Sequence, residues 1–116
     1  MKRNSRWPGF YKLSVADRRK VAAEALGMDV EELVAAVGDG GLACANADQI
    51  IENVLGPFSL PCALALNVQV KGEDFIAPMV VEEPSVVAAA SNAARMVREG
   101  GGFSAEADEP IMIAQV

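Results

Sequence analysis

Apolar residues recur at helical spacing in the first half of the chain and at strand spacing in the second. Three short runs between residues 13 and 56 predict helices. The first run follows Ser14, a residue type that caps helix N-termini, and ends at Gly27, where a left-handed residue commonly stops a helix. The second follows Asp29, which would cap it in the same way, and the third covers about residues 46–56.

The run ALALNVQV, residues 63–70, ends in alternating apolar and polar residues and predicts a half-buried strand. KGED at 71–74 predicts a tight turn, because Gly72 can adopt a positive φ. The next run, 75–81, alternates little, so we expect a second strand that is covered on both faces. Together these segments predict a β-hairpin.

Small residues dominate the helix predicted at 84–99. Pro84 suits its first position, where the missing N–H has no partner within the helix. Alanines around most of the helix would let other backbone approach closely, so we expect a buried central helix. Glycines at 100–102 end it, and the closing residues 110–116 predict the start of a further strand. The order of elements predicts an α+β fold.

Length and composition favour one folded domain with a modest core, since the 116 residues are 52% apolar. No apolar run approaches the roughly 20 residues of a membrane-spanning helix, and the basic N-terminus lacks the apolar stretch of a secretory signal. Cys44 and Cys62 stand at no metal-ligand spacing and are predicted to be buried free thiols. We therefore expect a cytoplasmic protein without a metal.

Charge is distributed unevenly along the chain. The first 20 residues hold seven basic residues against Asp17 alone, a balance of +6, whereas the remainder holds three against fifteen acids, a balance of −12. The acidic body argues against nucleic-acid binding. The basic segment forms either a solvated helix face or a contact with an anionic ligand such as a nucleotide phosphate. The absence of histidine from this sequence excludes histidine-based acid/base chemistry within it.

Two adjacent acids, Glu82 and Glu83, lie between the second predicted strand and the alanine-rich helix. One interpretation is helix capping, because the positive end of the helix dipole stabilises a carboxylate. The other is acid/base chemistry: apolar flanks predict a dry seam, where desolvation and the dipole would shift the carboxyl pKa in opposite directions. The first N–H groups of the helix, at Ser85 and Val86, could also receive an anion or a polarised oxygen.

Two long motifs resemble the N-terminal part of hydroxymethylglutaryl-CoA reductases, specifically the class II, degradative type. They are IENVLGPFSLP, beginning at Ile51, and APMVVEEPSVVAAASNAARMVREGGGF, beginning at Ala77. The family's Glu-Asn-Val-Ile-Gly motif stands here with Leu55 in place of isoleucine. The similarity continues in weaker form through residues 5–45 and on to PIMIAQV.

The resemblance implies reduction of 3-hydroxy-3-methylglutaryl-CoA to mevalonate with NADH or NADPH, or the reverse oxidation with CoA. Glu83 matches the family's catalytic glutamate, whose side chain hydrogen-bonds the reacting carbonyl oxygen. Ser85 matches a residue that lines the hydroxymethylglutaryl pocket. A further motif would lie near the subunit interface of a dimer with shared active sites, and it comprises Glu52, Asn53, Val54, Leu55 and Gly56.

The same resemblance implies that the chain is part of the large domain of a bigger enzyme. Residues 1–56 would form an N-terminal helical region, 57–109 the hairpin and central helix of the substrate domain, and 110–116 the start of a truncated nucleotide-binding domain. The family's catalytic lysine, aspartate and histidine come later than residue 116 would reach, and so does the cofactor site. We therefore expect a chain that is inactive alone, takes an acyl-CoA substrate, forms a homodimer or higher oligomer, and binds neither nucleic acid nor membrane. The alternative is a non-catalytic dimerisation or acyl-CoA-binding module of the same fold.

Overall fold

The computed structural model describes residues 4–38 and 41–112. Within them the chain forms four α-helices and a two-stranded antiparallel sheet, which confirms the predicted α+β class. In chain order the elements are a 3₁₀ turn at Phe10–Lys12, α1 at Val15–Leu26, α2 at Val30–Val37, α3 at Cys44–Ile50, β1 at Cys62–Val70, β2 at Glu73–Val80 and α4 at Val86–Glu99.

Helix α1 begins and ends at the two residues that the sequence indicates. The Ser14 hydroxyl accepts a hydrogen bond from the Asp17 N–H at 3.1 Å, which satisfies one of the free donors of the first turn. Gly27 closes the helix in the left-handed conformation, with a φ of 69°. Asp29 precedes α2 as expected, but its side chain makes no capping hydrogen bond.

Helix α3 is shorter than predicted. It begins at Cys44 and ends at Ile50, whereas the sequence pattern placed it at about 46–56. Ile51 is extended, with a φ of −143°, and Asn53 is left-handed, with a φ of 60°, so the helical backbone stops before the glutamate of the Glu52 motif. The apolar residues 54 and 55 therefore belong to an irregular segment.

Strands β1 and β2 form the predicted hairpin, with Cys62 opposite Val80 and Val70 opposite Glu73. The turn consists of Lys71 and Gly72, both at positive φ (49° and 81°), as a two-residue hairpin turn with the twist of the flanking strands requires. The turn is thus shorter than the predicted 71–74, because Glu73 and Asp74 already pair within β2.

One face of the hairpin lies open in this chain. Exposure alternates along β2, where Phe75 is 39% and Val80 61% exposed, so the prediction of a strand covered on both faces is wrong here. The reason is that α4 packs against β1 and covers a single face of the hairpin. A strand covered on one face alternates in exposure.

A bulge in β1 joins the hairpin to two other parts of the chain. The ladder is irregular between Ala65 and Val68, and Asn67 within it has a φ of 64°. The Asn67 N–H donates to the Ser5 carbonyl at 2.9 Å, and its Nδ2 donates to the Ser91 carbonyl in α4 at 3.1 Å. The Ser91 Oγ accepts from the N–H of Leu66 at 3.0 Å. The bulge therefore connects the N-terminal segment to α4.

Helix α4 begins later and is less buried than predicted. Pro84 and Ser85 form a turn, and the helix starts at Val86, so the proline does not occupy its first position. Ala94 is the buried residue of the helix, whereas Met96 is 63% exposed. The predicted buried central helix is thus covered on its β1 side only. Its end at Glu99, followed by the glycines, is as predicted.

The fully enclosed core of the described residues is small. The buried apolar residues are all alanines, at positions 22, 23, 47, 65 and 94. The radius of gyration is 17.2 Å, whereas a compact domain of this length measures about 13 Å. Many large apolar side chains are exposed, and so are both cysteines, which corrects the prediction that Cys44 and Cys62 are buried thiols. Ile111 and Met112 form no regular element, and residues 113–116, where the predicted final strand continues, lie outside the described part.

A buried polar cluster of Ser5, Asp74 and Arg98, called here the Ser5 cluster, holds three parts of the chain together. Ser5 is fully buried; its N–H donates to the Asp74 carboxylate at 2.9 Å, and its hydroxyl oxygen lies 3.2 Å from the same carboxylate. Arg98 of α4 forms an ion pair with the same carboxylate, Nη1 to Oδ1, at 2.8 Å. Burial raises the pKa of Asp74, but the hydrogen bonds and charge of Arg98 and the hydrogen bonds from Ser5 together hold the pKa below its usual value.

Replacing Gly102 by alanine should destabilise the chain more than replacing Gly101. Both glycines have φ values that alanine adopts with strain, 89° and 109°, but only at Gly102 would a Cβ meet the Gln69 carbonyl oxygen, at 2.9 Å. The positive φ costs about 1–2 kcal/mol in each variant; Gly102→Ala adds a backbone clash and breaks the contact of Phe103 with β1. Urea unfolding followed by circular dichroism compares the two variants, and equal losses would contradict the close approach.

Asp74→Asn should lower the free energy of unfolding at neutral pH by roughly 3 kcal/mol, because it leaves the Arg98 charge without its partner. Since the folded pKa of Asp74 is lowered, its stabilising contribution is present above its ordinary value of about 3.9 and is lost as the pH falls through the folded value. The gap between wild type and variant should therefore shrink below about pH 4. Asp17→Asn is the matched control: Asp17 also has a lowered pKa but pairs with Lys20 in solvent. Urea titrations at a series of pH values measure the gap; a constant gap from pH 7 to pH 3 would contradict the prediction.

Candidate functional site

A cleft of about 930 Å³ separates the N-terminal helical part from the hairpin and α4. One wall is formed by the segment before α1 together with α1 and α2, and the other by β1 and the start of α4. Its lining includes Arg6, Trp7, Phe10, Tyr11, Val15, Arg18, Arg19 and Leu33 on the first wall, and Leu64, Leu66, Asn67, Ser85, Val87, Ser91 and Arg95 on the second.

The charge of this cleft is positive, although the whole chain carries −6. Four arginines line it, at positions 6, 18, 19 and 95, and none of the lining residues is acidic. Guanidinium groups pair with carboxylates and phosphates in a fixed two-point geometry. Apolar walls strengthen such interactions by excluding water. The cleft therefore suits a ligand that combines an anionic group with an apolar part.

The position of these arginines bears on the two alternatives left open for the basic N-terminal segment. Arg6, Arg18 and Arg19 face the cleft, as contact with an anionic ligand would require. Lys20, in contrast, pairs with Asp17 at 3.3 Å on the exposed side of α1. The segment thus contributes to both a solvated helix face and a cationic wall.

Aromatic residues give the cationic wall its shape. The rings of Trp7 and Phe10 lie 5.1 Å apart between centroids at an interplanar angle of 51°, a favourable tilted contact. Gly9, with a φ of 77°, turns the chain between them into the 3₁₀ turn. Local backbone geometry therefore places two rings and the Arg6 side chain on the same wall.

Ser85 lies on the opposite wall at the start of α4. It occupies the N-cap position in the left-handed conformation, with a φ of 71°, and its hydroxyl makes no capping hydrogen bond. A non-glycine residue in this region costs roughly 1 kcal/mol or more, and such strain is concentrated at functional sites. Within the described residues, the Ser85 hydroxyl is thus available to a ligand in the cleft.

Glu82 and Glu83 are exposed on the bend between β2 and α4, and neither is among the lining residues of the cleft. The predicted dry seam is therefore wrong for this chain, because the apolar flanks are not covered around the pair. The capping interpretation does not hold either: Ser85 is the N-cap, Glu83 lies two positions before it, and the first turn of α4 contains no acid.

The Glu52 motif lies away from the cleft, since none of its residues lines it. Leu55 is fully exposed, and Asn53 and Gly56 have φ values of 60° and 155°. Four further exposed apolar side chains lie next to the motif in the sequence, and with Leu55 we call them the apolar ridge: Ile50, Ile51, Leu55, Phe58 and Leu60. The structure thus places Ser85 in the cleft, Glu83 beside its helix start, and the motif on a separate exposed surface.

The described residues lack the usual features of a metal site and of a membrane-spanning helix. They hold no group of three metal-ligating side chains, and none of their helices is long and apolar enough to cross a membrane. A dinucleotide is commonly held where a glycine-rich turn joins a strand to a helix N-terminus. Here glycines 100–102 follow the C-terminus of α4, and their N–H groups donate to the Val97 and Arg98 carbonyls. These glycines therefore do not form a dinucleotide site of that kind.

Sequence analysis missed the functional features that depend on distant residues. It did not single out Trp7, Asn67 or Arg95 of the cleft, or the Ser5 cluster. The available signal was the charge pattern: Arg95 and Arg98 stand in a body otherwise almost free of basic residues. Two such arginines in one helix indicate specific partners, Asp74 for the second and the cleft for the first.

Comparison with known proteins identifies the family. Residues 14–116 match the family described as hydroxymethylglutaryl-coenzyme A reductase. The chain is 54% identical, over 113 residues, to the 3-hydroxy-3-methylglutaryl-coenzyme A reductase of Archaeoglobus fulgidus, covering 97% of this chain and 26% of that protein.

Solved structures give the same result. A reductase from Streptococcus pneumoniae superposes with a TM-score of 0.75 at 39% identity, covering 85% of this chain and 24% of that one. The class II reductase from the same organism, bound to NADPH in open conformations, matches with the same score and identity over 27% of its length. The chain thus spans about a quarter of the length of the relatives it matches. It belongs to the hydroxymethylglutaryl-coenzyme A reductase family.

Proposed function

We propose that these residues supply the N-terminal part of a cytoplasmic, NAD(P)H-dependent reductase of class II that converts 3-hydroxy-3-methylglutaryl-CoA to mevalonate, or runs the reverse oxidation. The observation that carries the proposal is the 54% identity to the Archaeoglobus fulgidus reductase over 97% of the chain. The two long motifs around Glu52 and Glu83 fall within that match. Because the chain spans about a quarter of that relative, the activity belongs to the completed enzyme.

Glu83 is proposed as the catalytic acid. Attack of hydride on a thioester or aldehyde carbonyl develops negative charge on the carbonyl oxygen, and a positioned hydrogen-bond donor stabilises that charge. A protonated glutamate can donate such a bond and pass its proton to the oxygen as the charge develops. The bend before α4 supports this role, because it leaves the Glu83 side chain exposed and without a structural partner among the described residues.

Ser85 and the cleft are proposed to hold the substrate. The Ser85 hydroxyl is not used for capping and can hydrogen-bond the hydroxymethylglutaryl group. The arginines of the cleft can pair with the anionic groups of the acyl-CoA, while its aromatic wall contacts apolar parts of the molecule. The cleft combines a free hydroxyl, arginines and an aromatic wall. This combination suits an acyl-CoA substrate better than a purely apolar substrate.

The remaining catalytic groups are proposed to come from outside these 116 residues. Such an enzyme needs a cation beside the carbonyl oxygen and a proton donor for the departing thiolate. In the family these are a lysine and a histidine, with an aspartate beside them, and this sequence contains no histidine. The nicotinamide cofactor, NADH or NADPH, supplies hydride when bound to the rest of the enzyme.

The second candidate function is a non-catalytic dimerisation or acyl-CoA-binding module of the same fold. The apolar ridge favours it, because five large apolar side chains around the Glu52 motif are exposed together. The two candidates differ in what Glu83 does. A binding module does not need its carboxyl group, whereas a reductase does.

We predict that this chain alone consumes no NADH or NADPH with hydroxymethylglutaryl-CoA or mevaldehyde. When this chain replaces the matching segment of the Archaeoglobus fulgidus reductase, the resulting chimera should be an active enzyme. Its consumption of NADH or NADPH is measured by absorbance at the nicotinamide band. In that chimera Glu83→Gln should lower kcat/KM by about 100-fold or more, because the acid is lost.

Glu82→Gln is the matched control and should stay within a few-fold of the parent chimera, since the proposal gives that acid no chemical role. If the chain alone turned over substrate and Glu83→Gln abolished that turnover, the proposal that further catalytic groups come from outside these residues would be wrong. An active chimera that tolerates Glu83→Gln would instead favour the binding module.

We also predict that the chain self-associates through the apolar ridge. Leu55→Ser should shift a dimer towards monomer in sedimentation velocity at micromolar concentration, because it removes the most exposed apolar side chain of the Glu52 motif. Met112→Ser is the control, since Met112 is also highly exposed but lies outside the ridge. A wild-type chain that sediments as a monomer would contradict the prediction.

A further inference from the structure

We propose that the Ser5 cluster is a positioning device: it fixes Arg6 and Trp7 on the wall of the cleft opposite Ser85. Ser5, Asp74 and Arg98 do not touch a ligand in this arrangement; they act through the two residues that follow Ser5. The inference rests on the proposed function for the identity of the ligand, but the position of the wall can be measured without one.

The first step is the anchoring of Ser5. Ser5 is fully buried, and each of its polar groups has a partner. Its N–H donates to Asp74, its hydroxyl donates to the Val68 carbonyl at 3.0 Å, and its carbonyl accepts from the Asn67 N–H at 2.9 Å. A set of bonds this dense fixes the direction of the chain at this residue.

The second step is the origin of those partners. Asn67 and Val68 belong to the bulge of β1, Asp74 to β2 and Arg98 to α4. The Asp74 side chain is 8% exposed and that of Arg98 19%, so the ion pair is largely withdrawn from water and has little freedom to rearrange. Ser5 is thus fixed relative to the whole second wall of the cleft, not to one element of it.

The third step leads from Ser5 to the cleft. The Arg6 N–H donates to the Asn4 side chain at 2.9 Å, which turns the backbone directly after the anchor. Consecutive Cα atoms are about 3.8 Å apart, so residues 6 and 7 lie within one and two links of a fixed point. Both line the cleft. The Ser5 cluster therefore determines the positions of the Arg6 guanidinium and the Trp7 indole.

The same bulge controls the opposite wall. Asn67 bonds Ser5 with its backbone N–H and the Ser91 carbonyl of α4 with its side chain. Ser91 itself lines the cleft, as Ser85 does six residues earlier in the chain. A single residue thus couples both walls, and the width of the cleft between Arg6 and Ser85 follows from these bonds.

Trp7 allows a direct test, because it is the single tryptophan of the chain. On the 116-residue protein, its emission maximum and its quenching by acrylamide and by iodide report burial and local charge separately. Iodide is attracted by the cleft arginines, so the ratio of iodide to acrylamide quenching should exceed that of N-acetyltryptophanamide by about twofold at low salt and fall towards it at high salt.

Variants of the Ser5 cluster should release the wall. In Arg98→Met, which keeps an apolar stem, and in Ser5→Ala, we expect a red-shifted Trp7 emission, acrylamide quenching raised about twofold, and an iodide ratio close to that of the free indole. The helical signal in far-ultraviolet circular dichroism should stay within a tenth of wild type. Arg98→Lys keeps the charge, so its Trp7 emission and quenching should lie between those of Arg98→Met and wild type. Asp17→Asn, on the exposed side of α1, is the matched control and should leave all Trp7 signals unchanged.

Unchanged Trp7 signals in folded Arg98→Met and Ser5→Ala would overturn the inference. A loss of helical signal that runs parallel to the Trp7 change in both variants would also overturn it, since the cluster would then only stabilise the fold. The Trp7 signals require no turnover, so an inactive chimera would remove the proposed reductase function and leave the positioning role standing.

Discussion

The ion pair between Asp74 and Arg98, with Ser5 buried against it, joins the N-terminal segment, the hairpin and α4. The apolar core is too small to do so, because its enclosed members are alanines. An alanine buries little area and contributes correspondingly little to stability. Charged groups withdrawn from water cost free energy unless every partner is in place. Here Ser5 supplies its N–H and hydroxyl, so the N-terminal segment, the hairpin and α4 must assemble together for the carboxylate to be satisfied.

This constraint also explains the shape of the candidate site. The two halves of the chain meet across a cleft and are not packed into one core, so both walls keep their polar and aromatic side chains available. The strained N-cap at Ser85 lines that cleft, and Glu83 lies exposed two residues before it, whereas no residue of the Glu52 motif lines the cleft.

Local signals in the sequence predicted the local structure. Ser14 and Gly27 bound α1, Gly72 lies in the hairpin turn, and the glycines after Glu99 end α4, because each feature depends on neighbouring residues. The wrong predictions concern burial, which depends on elements that are distant in the sequence. Helix α4 and strand β2 are apolar enough to be buried, yet one face of each is open here. The two other members of the Ser5 cluster stand 69 and 93 residues away from Ser5, so no periodicity could indicate them. The family resemblance supplied the roles of Glu83 and Ser85, which spacing alone left open.

The alanine core also sets the pattern of tolerated change. Most protein interiors are weakened by truncating large side chains, which leaves cavities. Positions 22, 23, 47, 65 and 94 offer almost nothing to truncate. Ala65 of β1 and Ala94 of α4 are sensitive to the opposite change, since a larger side chain where these two elements pack together forces their backbones apart. Sequence change at these two positions is therefore limited by the upper size of their side chains, and close backbone approach is the property that such a limit preserves.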